Sequence, residues 1–160
     1  MRALKTIILS NFVEELIGLS NAQQSSTLEL YNCAGGKCTA EKAIDDNFIS
    51  LSITRRGKPS WWSAELENKV QIEIILVYIG AYSFKYYNRF QVETGLQKDV
   101  WEVCKGPYEV QRPLTPHYIT CDKIKIAKYI QMSQMSEMLA LTEVKVVGII
   151  QGKIHPWKRG

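Results

Sequence analysis

The clearest strand pattern in the sequence is VQIEIILVY, residues 70–78, in which apolar residues alternate with Gln71 and Glu73 before the segment becomes wholly apolar. Alternation with a period of two is typical of a strand that buries one face. The same pattern recurs in FQVE (residues 90–93), KIKI (residues 123–126) and EVKV (residues 143–146). Each places an apolar face inward and a charged face outward, which predicts antiparallel sheets with one solvated side.

Turn-forming residues separate these segments. They occur in RGKP (residues 56–59), in Gly106-Pro107, and between Arg112-Pro113 and Pro116. Several short strands at such intervals favour a β-sandwich or a barrel. Beyond residue 20 only two short stretches, 40–43 and 133–138, are candidates for helix.

Length and composition indicate one domain with a sizeable core. The chain has 160 residues, of which 46% are hydrophobic and 10% are aromatic. No apolar run approaches the ~18 residues that a membrane-spanning helix needs. The formal net charge is +4, from 20 basic and 16 acidic residues that are mixed along the chain. A nucleic-acid partner is not expected, because such domains concentrate their basic residues on one face.

The N-terminus allows two interpretations. Residues 1–9 (MRALKTIIL) have the basic start and the apolar opening of a secretion signal, but Glu14 and Glu15 interrupt the pattern. The alternative is a short amphipathic helix, which is favoured by apolar residues at helical spacing: Leu9, Phe12, Val13, Leu16 and Ile17. The predicted organisation is an N-terminal extension over 1–19, a β-domain over 20–150 and a basic tail over 151–160.

The four cysteines form no C-x-x-C motif, so a zinc site or a thioredoxin-like motif is not indicated. An even number in a chain of this size fits two disulfides. Cys33 and Cys38 would close a small loop that contains two glycines, and Cys104 and Cys121 would close a larger one. Four buried free thiols in a cytosolic protein are the alternative.

The sequence lacks recognisable catalytic chemistry. The two histidines are His117, near Pro113 and Pro116, and His155, near the C-terminus. Neither lies in a nucleophile elbow, a phosphate-binding loop or a zinc-hydrolase motif. The adjacent acids Asp45 and Asp46 are more typical of a turn or an oxygen-ligand site than of a catalytic pair. We therefore expect a protein that is not an enzyme.

Five segments, in the right order over roughly residues 21–148, resemble the F-type lectin (fucolectin) family. AIDDN (43–47) resembles its Ala-Ile-Asp-Gly-Asn signature, and WWSAEL (61–66) resembles Trp-Trp-x-Val-Asp-Leu. The others are NAQQSS (21–26), LALTEVKV (139–146), and the pair Cys104 and Cys121 followed by AKYI (127–130). The resemblance implies an all-β chain: a single discoidin-like (galactose-binding-like) antiparallel β-sandwich or jelly roll with a short N-terminal extension.

The family's fucose site does not carry over residue by residue. Its histidine falls near Ser50, its Arg-x-Asp motif falls within residues 79–82, and its further arginine falls at Tyr86 or Tyr87. None of these positions holds the family's residue. The resemblance therefore implies that the usual fucose-binding mode is not retained.

The family's calcium site carries over better. Calcium prefers six to eight oxygen ligands from carboxylates, amides, hydroxyls and carbonyls. The matching positions supply side chains and two backbone carbonyls, which gives the metal ligands Asp45, Asn47, Ser52, Glu143, Lys42 and Thr142. The alternative is a turn in which Asp45 accepts hydrogen bonds from local amides. Asp46 stands where the family has glycine, and a positive φ there would suit glycine better.

An aromatic segment, residues 81–89 (AYSFKYYNR), joins two strands near the family's ligand-binding end. Tyr and Arg are enriched at binding hot spots. The predicted ligand-binding residues are therefore Ser50, Tyr82, Phe84, Tyr86 and Arg89. Equally, half of these aromatic side chains would alternate into the core.

The resulting prediction is a recognition module for a carbohydrate or glycoconjugate, with a structural calcium ion. Its partner would be a glycan or glycoprotein, with fucosylated glycans included, and a homo-oligomer is compatible with this function. The main alternative is a protein–protein interaction module on the same scaffold. The disulfides and the lectin resemblance favour a secreted, extracellular protein, and a cytoplasmic protein is the alternative.

Overall fold

The structure, a computed structural model, describes residues 13–31, 33–56, 59–79, 89–110, 112, 115–135 and 137–152. These ranges form ten strands and two short 3-10 helices, Ala34–Gly36 and Ala40–Ile44. The strands are β1 Glu14–Ile17, β2 Leu19–Gln24, β3 Ser52–Ile53, β4 Ser60–Tyr78, β5 Arg89–Gly95, β6 Glu102–Glu109, β7 Pro116–Ile119, β8 Ile126–Gln134, β9 Ala140–Leu141 and β10 Glu143–Ile150.

The long strand β4 belongs to two layers. Its first half pairs antiparallel with β2 and β8, and its second half pairs antiparallel with β10 and β7. The β4–β8 ladder shifts register between Glu65 and Val70, where the side chains of residues 67–69 are exposed. One layer is therefore β2-β4-β8-β5-β6 and the other is β1-β10-β4-β7. This arrangement confirms the predicted all-β, antiparallel fold.

The core lies between these layers. Buried residues alternate along both halves of β4, and the largest is Trp62, which is fully buried and whose indole N–H donates to the backbone oxygen of Ala40 at 3.0 Å. Trp61 is half-buried, as expected for adjacent residues that point to opposite faces of a strand. Further core residues of the two layers are Phe90, Val92, Ile130, Met132, Val144 and Val146.

Both predicted disulfides are present, and no cysteine is free among the described residues. Cys33 and Cys38, with Cα atoms 5.3 Å apart, close a loop in which Gly35 and Gly36 both have a φ of 73°. That backbone conformation suits glycine, which explains the Gly-Gly pair. The second disulfide joins Cys104 of β6 to Cys121, just after β7.

The N-terminal helix prediction is wrong for the part that the structure describes. Residues 14–17 form β1, which pairs antiparallel with β10, so the sheet begins before residue 20. Ile17 is buried against the core, while Leu16 points outward from the opposite face of the strand. An edge strand needs one buried residue in two, and this short segment satisfies that period as well as a helical one. Residues 1–12 and 153–160 lie outside the described residues.

Two other sequence expectations are corrected. The helix expected over residues 133–138 is wrong for the residues of that range that the structure describes, since Ser133 and Gln134 belong to β8. The strand expected at residues 123–126 begins only at Ile126, and the side chain of Ile124 is exposed. The short helix at residues 40–43 is confirmed as the 3-10 helix Ala40–Ile44. Neither helix in the described ranges is long and apolar enough to cross a membrane.

Candidate functional site

The segment after the 3-10 helix Ala40–Ile44 forms a compact turn, which we call the acidic loop (residues 45–50). The Oδ1 atom of Asp45 accepts a hydrogen bond from the backbone amide of Asn47 at 3.0 Å. The Oδ1 atom of Asn47 accepts one from the amide of Ile49, also at 3.0 Å. Side chains of Asp and Asn stabilise turns in this way. The local capping that the sequence allowed for Asp45 is therefore observed.

The hydroxyl of Ser50 lies at the centre of this loop. Its Oγ atom is 2.6 Å from Oδ2 of Asp45, 3.0 Å from the backbone oxygen of Asn47 and 3.3 Å from the backbone oxygen of Lys42. A hydroxyl has one hydrogen to donate, so three acceptor oxygens around it exceed what it can satisfy. The loop thus gathers oxygen atoms around one point.

Glu143, at the start of β10, brings a second carboxylate to this region. Its side chain is 1% exposed, and its Oε2 atom has no hydrogen-bond partner among the described residues. Burial raises the pKa of Glu143 to about 7, while Lys145 lowers it and the carboxylates of Asp45 and Asp46 raise it further. The backbone amide of Asp46 donates a hydrogen bond that favours the ionised form. Negative charge at Glu143 is therefore under-compensated.

Asp46 connects the acidic loop to β10. Its φ is 58°, the left-handed conformation that favours glycine, so this aspartate occupies a backbone position that would suit glycine better. Its Oδ1 atom accepts a hydrogen bond from Nζ of Lys145 at 2.5 Å. This contact raises the pKa of Lys145. The ion pair stabilises the loop against the strand that carries Glu143.

The remaining predicted metal ligands lie on the short strands beside the loop. Ser52, in β3, donates its hydroxyl hydrogen to Oε1 of Gln24 at 2.6 Å. Thr142 is buried between β9 and β10; its amide donates to the backbone oxygen of Tyr78, and its Oγ1 atom has no partner among the described residues. The Ser50 hydroxyl therefore lies among the oxygens of Lys42, Asp45 and Asn47, which we call the oxygen cluster, whereas the Ser52 hydroxyl points to Gln24.

Two of the five predicted ligand-binding residues, Ser50 and Arg89, are among the residues that the structure describes. Tyr82, Phe84 and Tyr86 lie outside the described residues, and Ser50 is engaged in the acidic loop as described. Arg89 is exposed at the first position of β5, where it pairs in register with Glu109 of β6.

Sequence reasoning missed two apolar residues of the acidic loop. The ring of Phe48 packs edge-on against Tyr78, with 4.7 Å between centroids, and Ile49 is 89% exposed. The sequence signal for them was the apolar pair directly after Asp-Asp-Asn, because residues in an exposed turn are usually polar. These side chains add an apolar surface next to the oxygen cluster.

His117 is a structural residue. It is buried on β7, and its Nε2 lies 2.8 Å from the backbone oxygen of Arg112, which can only accept. Its Nδ1 then accepts from the hydroxyl of Tyr108 at 3.3 Å. Both ring nitrogens are thus used internally. In the part of the chain that the structure describes, no group of three or more His, Cys, Asp or Glu side chains is placed to hold a metal ion.

No protein-family model matches the sequence, and no curated protein sequence matches it either. The fold, however, is similar to those of solved lectin domains. A histidine mutant of the lectin binding domain of lectinolysin, complexed with Lewis b, is 19% identical with a TM-score of 0.63, over 80% of this chain and 91% of that one. The f-lectin of striped bass (Morone saxatilis) serum is 19% identical with a TM-score of 0.67, over 83% of this chain and 48% of that one.

A carbohydrate-binding module has the same architecture. The family 32 module of NanJ from C. perfringens, in complex with galactose, is 16% identical with a TM-score of 0.62. That match covers 84% of this chain and 99% of the module. The identities are too low to carry more than the architecture. This chain therefore has the discoidin-like β-sandwich fold found in F-type lectins, as its sequence motifs predict.

Proposed function

We propose that the protein is a non-enzymatic module that recognises a carbohydrate or glycoconjugate. The observation that carries the proposal is the similarity of its fold to domains described with Lewis b or galactose bound. A fold alone does not establish a function, so the chemistry of the site must supply the rest. The partner is a glycan or glycoprotein, and fucosylated glycans are among those to be tested.

The proposed ligand-binding end combines the acidic loop with the aromatic segment that follows β4. Phe48 and Ile49 are exposed there, and Ile79 leads directly into the segment that contains Tyr82 and Tyr86. Aromatic and apolar surface beside polar groups is the composition of a small-molecule site. Because Ser50 replaces the family's histidine and its hydroxyl is held by Asp45, the usual fucose-binding mode is not retained in this proposal.

The proposal includes a structural calcium ion at the acidic loop. Two observations fit a cation there: three oxygens converge on the Ser50 hydroxyl, and a buried Glu143 oxygen lacks a partner among the described residues. The ligands would be Asp45, Asn47, Glu143, the carbonyls of Lys42 and Thr142, and the Ser52 hydroxyl that the sequence predicts. Ser50, whose Oγ atom lies 2.6 Å from Oδ2 of Asp45, is the alternative hydroxyl. Bound calcium would supply positive charge to under-compensated carboxylates and link the acidic loop to β10.

Thermal melting tests the calcium site. A ligand that binds only the native state raises the melting temperature by mass action. We expect calcium to raise the melting temperature of the wild type relative to chelator, and we expect Asp45→Asn to abolish that shift. Glu29→Gln is the matched control, because Glu29 is an exposed acid outside the site. An equal calcium response in wild type and Asp45→Asn would contradict the proposed ligand set.

A glycan array, probed in calcium, tests the sugar-binding proposal. We expect binding to a group of related glycans, with loss of binding in Tyr82→Ala or Tyr86→Ala. Tyr31→Ala is the matched control, since Tyr31 is almost fully exposed on another loop. A silent array together with retained binding to a protein partner would contradict the lectin function.

One observation favours the second candidate function, a protein–protein interaction module. The outer face of the β1-β10-β4-β7 layer carries apolar residues in two adjacent rows of paired residues. One row is Leu16, Val147 and Ile74, and the other contains Leu76 and Tyr118 together with Lys145. Leu16 is 65% exposed and Tyr118 is 64% exposed, and Ile74, Leu76 and Val147 are half-buried. A largely apolar face of this kind is typical of interaction surfaces, including that of a homo-oligomer.

We also propose that the protein works outside the cytosol. Two disulfides close in the described chain, and such bonds persist in oxidising compartments. Expression with and without export, followed by titration of free thiols, tests this location. Fully reduced cysteines in the native source would contradict it.

A further inference from the structure

A separate cavity of about 450 Å³, which we call the lateral cleft, shares no residue with the acidic loop. It lies between β2, β4, β8 and the loop that joins β5 to β6. Its size falls within the range of small-molecule sites, roughly 300–1,000 Å³. The residues that matter for its chemistry are Asn21, Glu41, Glu65, Asp99, Trp101 and Tyr129, together with Lys98.

Two aromatic residues line the lateral cleft. Trp101 follows the β5–β6 loop, and Tyr129 lies on β8 in register with Glu65 of β4. Both are only half-buried, so ring surface is left for a ligand. Aromatic faces bind the apolar face of a flat ring and also attract cations. The cleft therefore offers a stacking surface for a ring and a site for a positive charge.

Contacts within the protein hold the polar side of the cleft in place. The side-chain amide of Asn21 donates to Oε2 of Glu65 at 2.9 Å, and Lys128 lies 3.6 Å from Oε1 of the same carboxylate. These contacts, together with the charge of Lys98, hold the pKa of Glu65 below its usual value. Glu65 is thus an ionised acceptor at neutral pH, fixed in position for a hydroxyl or ammonium donor.

Backbone conformation supports a specialised role for this place. Three non-glycine residues of the described chain have a positive φ, and two of them, Asn21 at 50° and Asp99 at 62°, line the lateral cleft. Such conformations cost free energy and cluster at functional sites. At Asn21 the conformation coincides with the register shift in the β2–β4 ladder.

The charge of the cleft is opposite to that of the chain. Three carboxylates, Glu41, Glu65 and Asp99, line it together with the ammonium of Lys98. Lys128 pairs with Glu65, so the carboxylates still outnumber the ammonium groups, whereas the whole chain carries a formal charge of +4. A ligand with acid groups would be repelled here. A ligand with hydroxyl donors and ammonium groups would be attracted.

We propose that the lateral cleft is a second saccharide site, selective for oligosaccharides of unsubstituted amino sugars. One sugar ring stacks on Trp101 and Tyr129, and its protonated amine faces Glu41 and Asp99. Ring hydroxyls donate to Glu65. This site shares no residue with the acidic loop, so it goes beyond the proposed function.

Isothermal titration calorimetry tests the proposal with three tetrasaccharides, at about pH 5.5, where sugar amines are protonated. The probes are the tetramers of glucosamine, of N-acetylglucosamine and of galacturonic acid. We expect the glucosamine tetramer to bind more tightly than the N-acetylated one, and we expect no binding of the acidic one. Trp101→Ala should weaken binding about tenfold or more, a loss typical of a central aromatic contact.

Matched variants separate site chemistry from folding. Trp61→Ala removes a half-buried tryptophan outside the cleft and should leave the affinity unchanged. Asp99→Asn tolerates the same positive φ and should reduce affinity for the glucosamine tetramer several-fold, without affecting the N-acetylated tetramer. Glu41→Gln, at another exposed position, should do the same, so the test survives if Trp101→Ala fails to fold.

Three results would overturn the proposal. They are no binding of the glucosamine tetramer by wild type, binding of the galacturonic acid tetramer that is as tight as that of the glucosamine tetramer or tighter, and wild-type affinity for the glucosamine tetramer in all cleft variants. Array binding that depends on Tyr82 or Tyr86 would support the proposed function whatever the result for the lateral cleft. Binding of the glucosamine tetramer that is unchanged in Trp101→Ala would reject the lateral cleft and leave the proposed function standing.

Discussion

Replacing Glu143 by glutamine should stabilise the calcium-free protein at pH 8. Glu143 is buried, one of its oxygens has no partner among the described residues, and burial raises its pKa to about 7. In the unfolded chain the same group has a pKa near 4.5. Because the native state holds the proton more tightly, stability is greatest below the unfolded pKa and decreases as the pH rises through the folded pKa.

The size of the effect follows from these two pKa values. At about 1.36 kcal/mol per pKa unit, ionisation of Glu143 costs the native state about 3 kcal/mol above pH 7. Glutamine has the same shape, still accepts from the amide of Asp46, and cannot ionise. The free energy of unfolding of Glu143→Gln in chelator should therefore exceed that of wild type by up to about 3 kcal/mol at pH 8.

Urea denaturation in chelator at pH 4.5 and pH 8 measures this difference directly. We expect most of the difference to disappear at pH 4.5, where Glu143 is protonated in the native state. Glu29→Gln, at an exposed position, should give no pH-dependent difference. A Glu143→Gln variant that is less stable than wild type at pH 8, or whose stability differs from wild type equally at both pH values, would contradict a costly ionisation of Glu143.

Other substitutions test the remaining features of the structure. Asp46→Ala keeps an unfavourable φ and loses the ion pair to Lys145, so its free energy of unfolding in urea should fall by about 1 kcal/mol or more. Asp46→Gly should stay within about 0.5 kcal/mol of wild type, because glycine adopts this φ freely. Equal losses in the two variants would contradict the role of φ. In the same assay, Trp62→Ala should lower the free energy of unfolding by about 3–5 kcal/mol, and Trp61→Ala should lower it clearly less. Similar losses in the two variants would contradict the opposite orientations of the two side chains. Replacing both Cys104 and Cys121 by serine should cost about 3 kcal/mol, and an unchanged melting temperature would contradict a stabilising disulfide.

The architecture could be predicted from the sequence because its signals are local and repeated. The strand predicted over residues 70–78 is confirmed as the second half of β4, and the strand predicted over residues 143–146 is confirmed as the start of β10. The strand prediction did not foresee that β4 is continuous across residues 67–69 and serves both layers. That continuity depends on pairing with strands far along the chain, which periodicity does not report.

The errors arose where one pattern fits two periods. Residues 13–17 contain apolar residues at helical spacing, yet the available partner is β10, and β1 pairs with it. Residues 133–138 lack alternation at their start, but register with β4 extends β8 to Gln134. In both places tertiary pairing decides between local alternatives.

The sequence indicated which residues of the acidic loop and β10 to consider, but not how they are arranged. Asp45, Asn47 and Glu143 could be found from the family motifs. That Ser50 would take the centre of the oxygen cluster, while Ser52 bonds to Gln24, depends on side-chain directions set by the turn. The burial of Glu143 also ran against its alternating, outward-facing pattern, because the acidic loop covers the start of β10.

The most direct test of the central claim is a glycan array probed with the whole protein in calcium, followed by competition with the free sugar. We expect binding to a defined group of related glycans, and we expect the soluble sugar to displace it. An array without displaceable binding, from protein whose cooperative melting shows that it is folded, would contradict carbohydrate recognition.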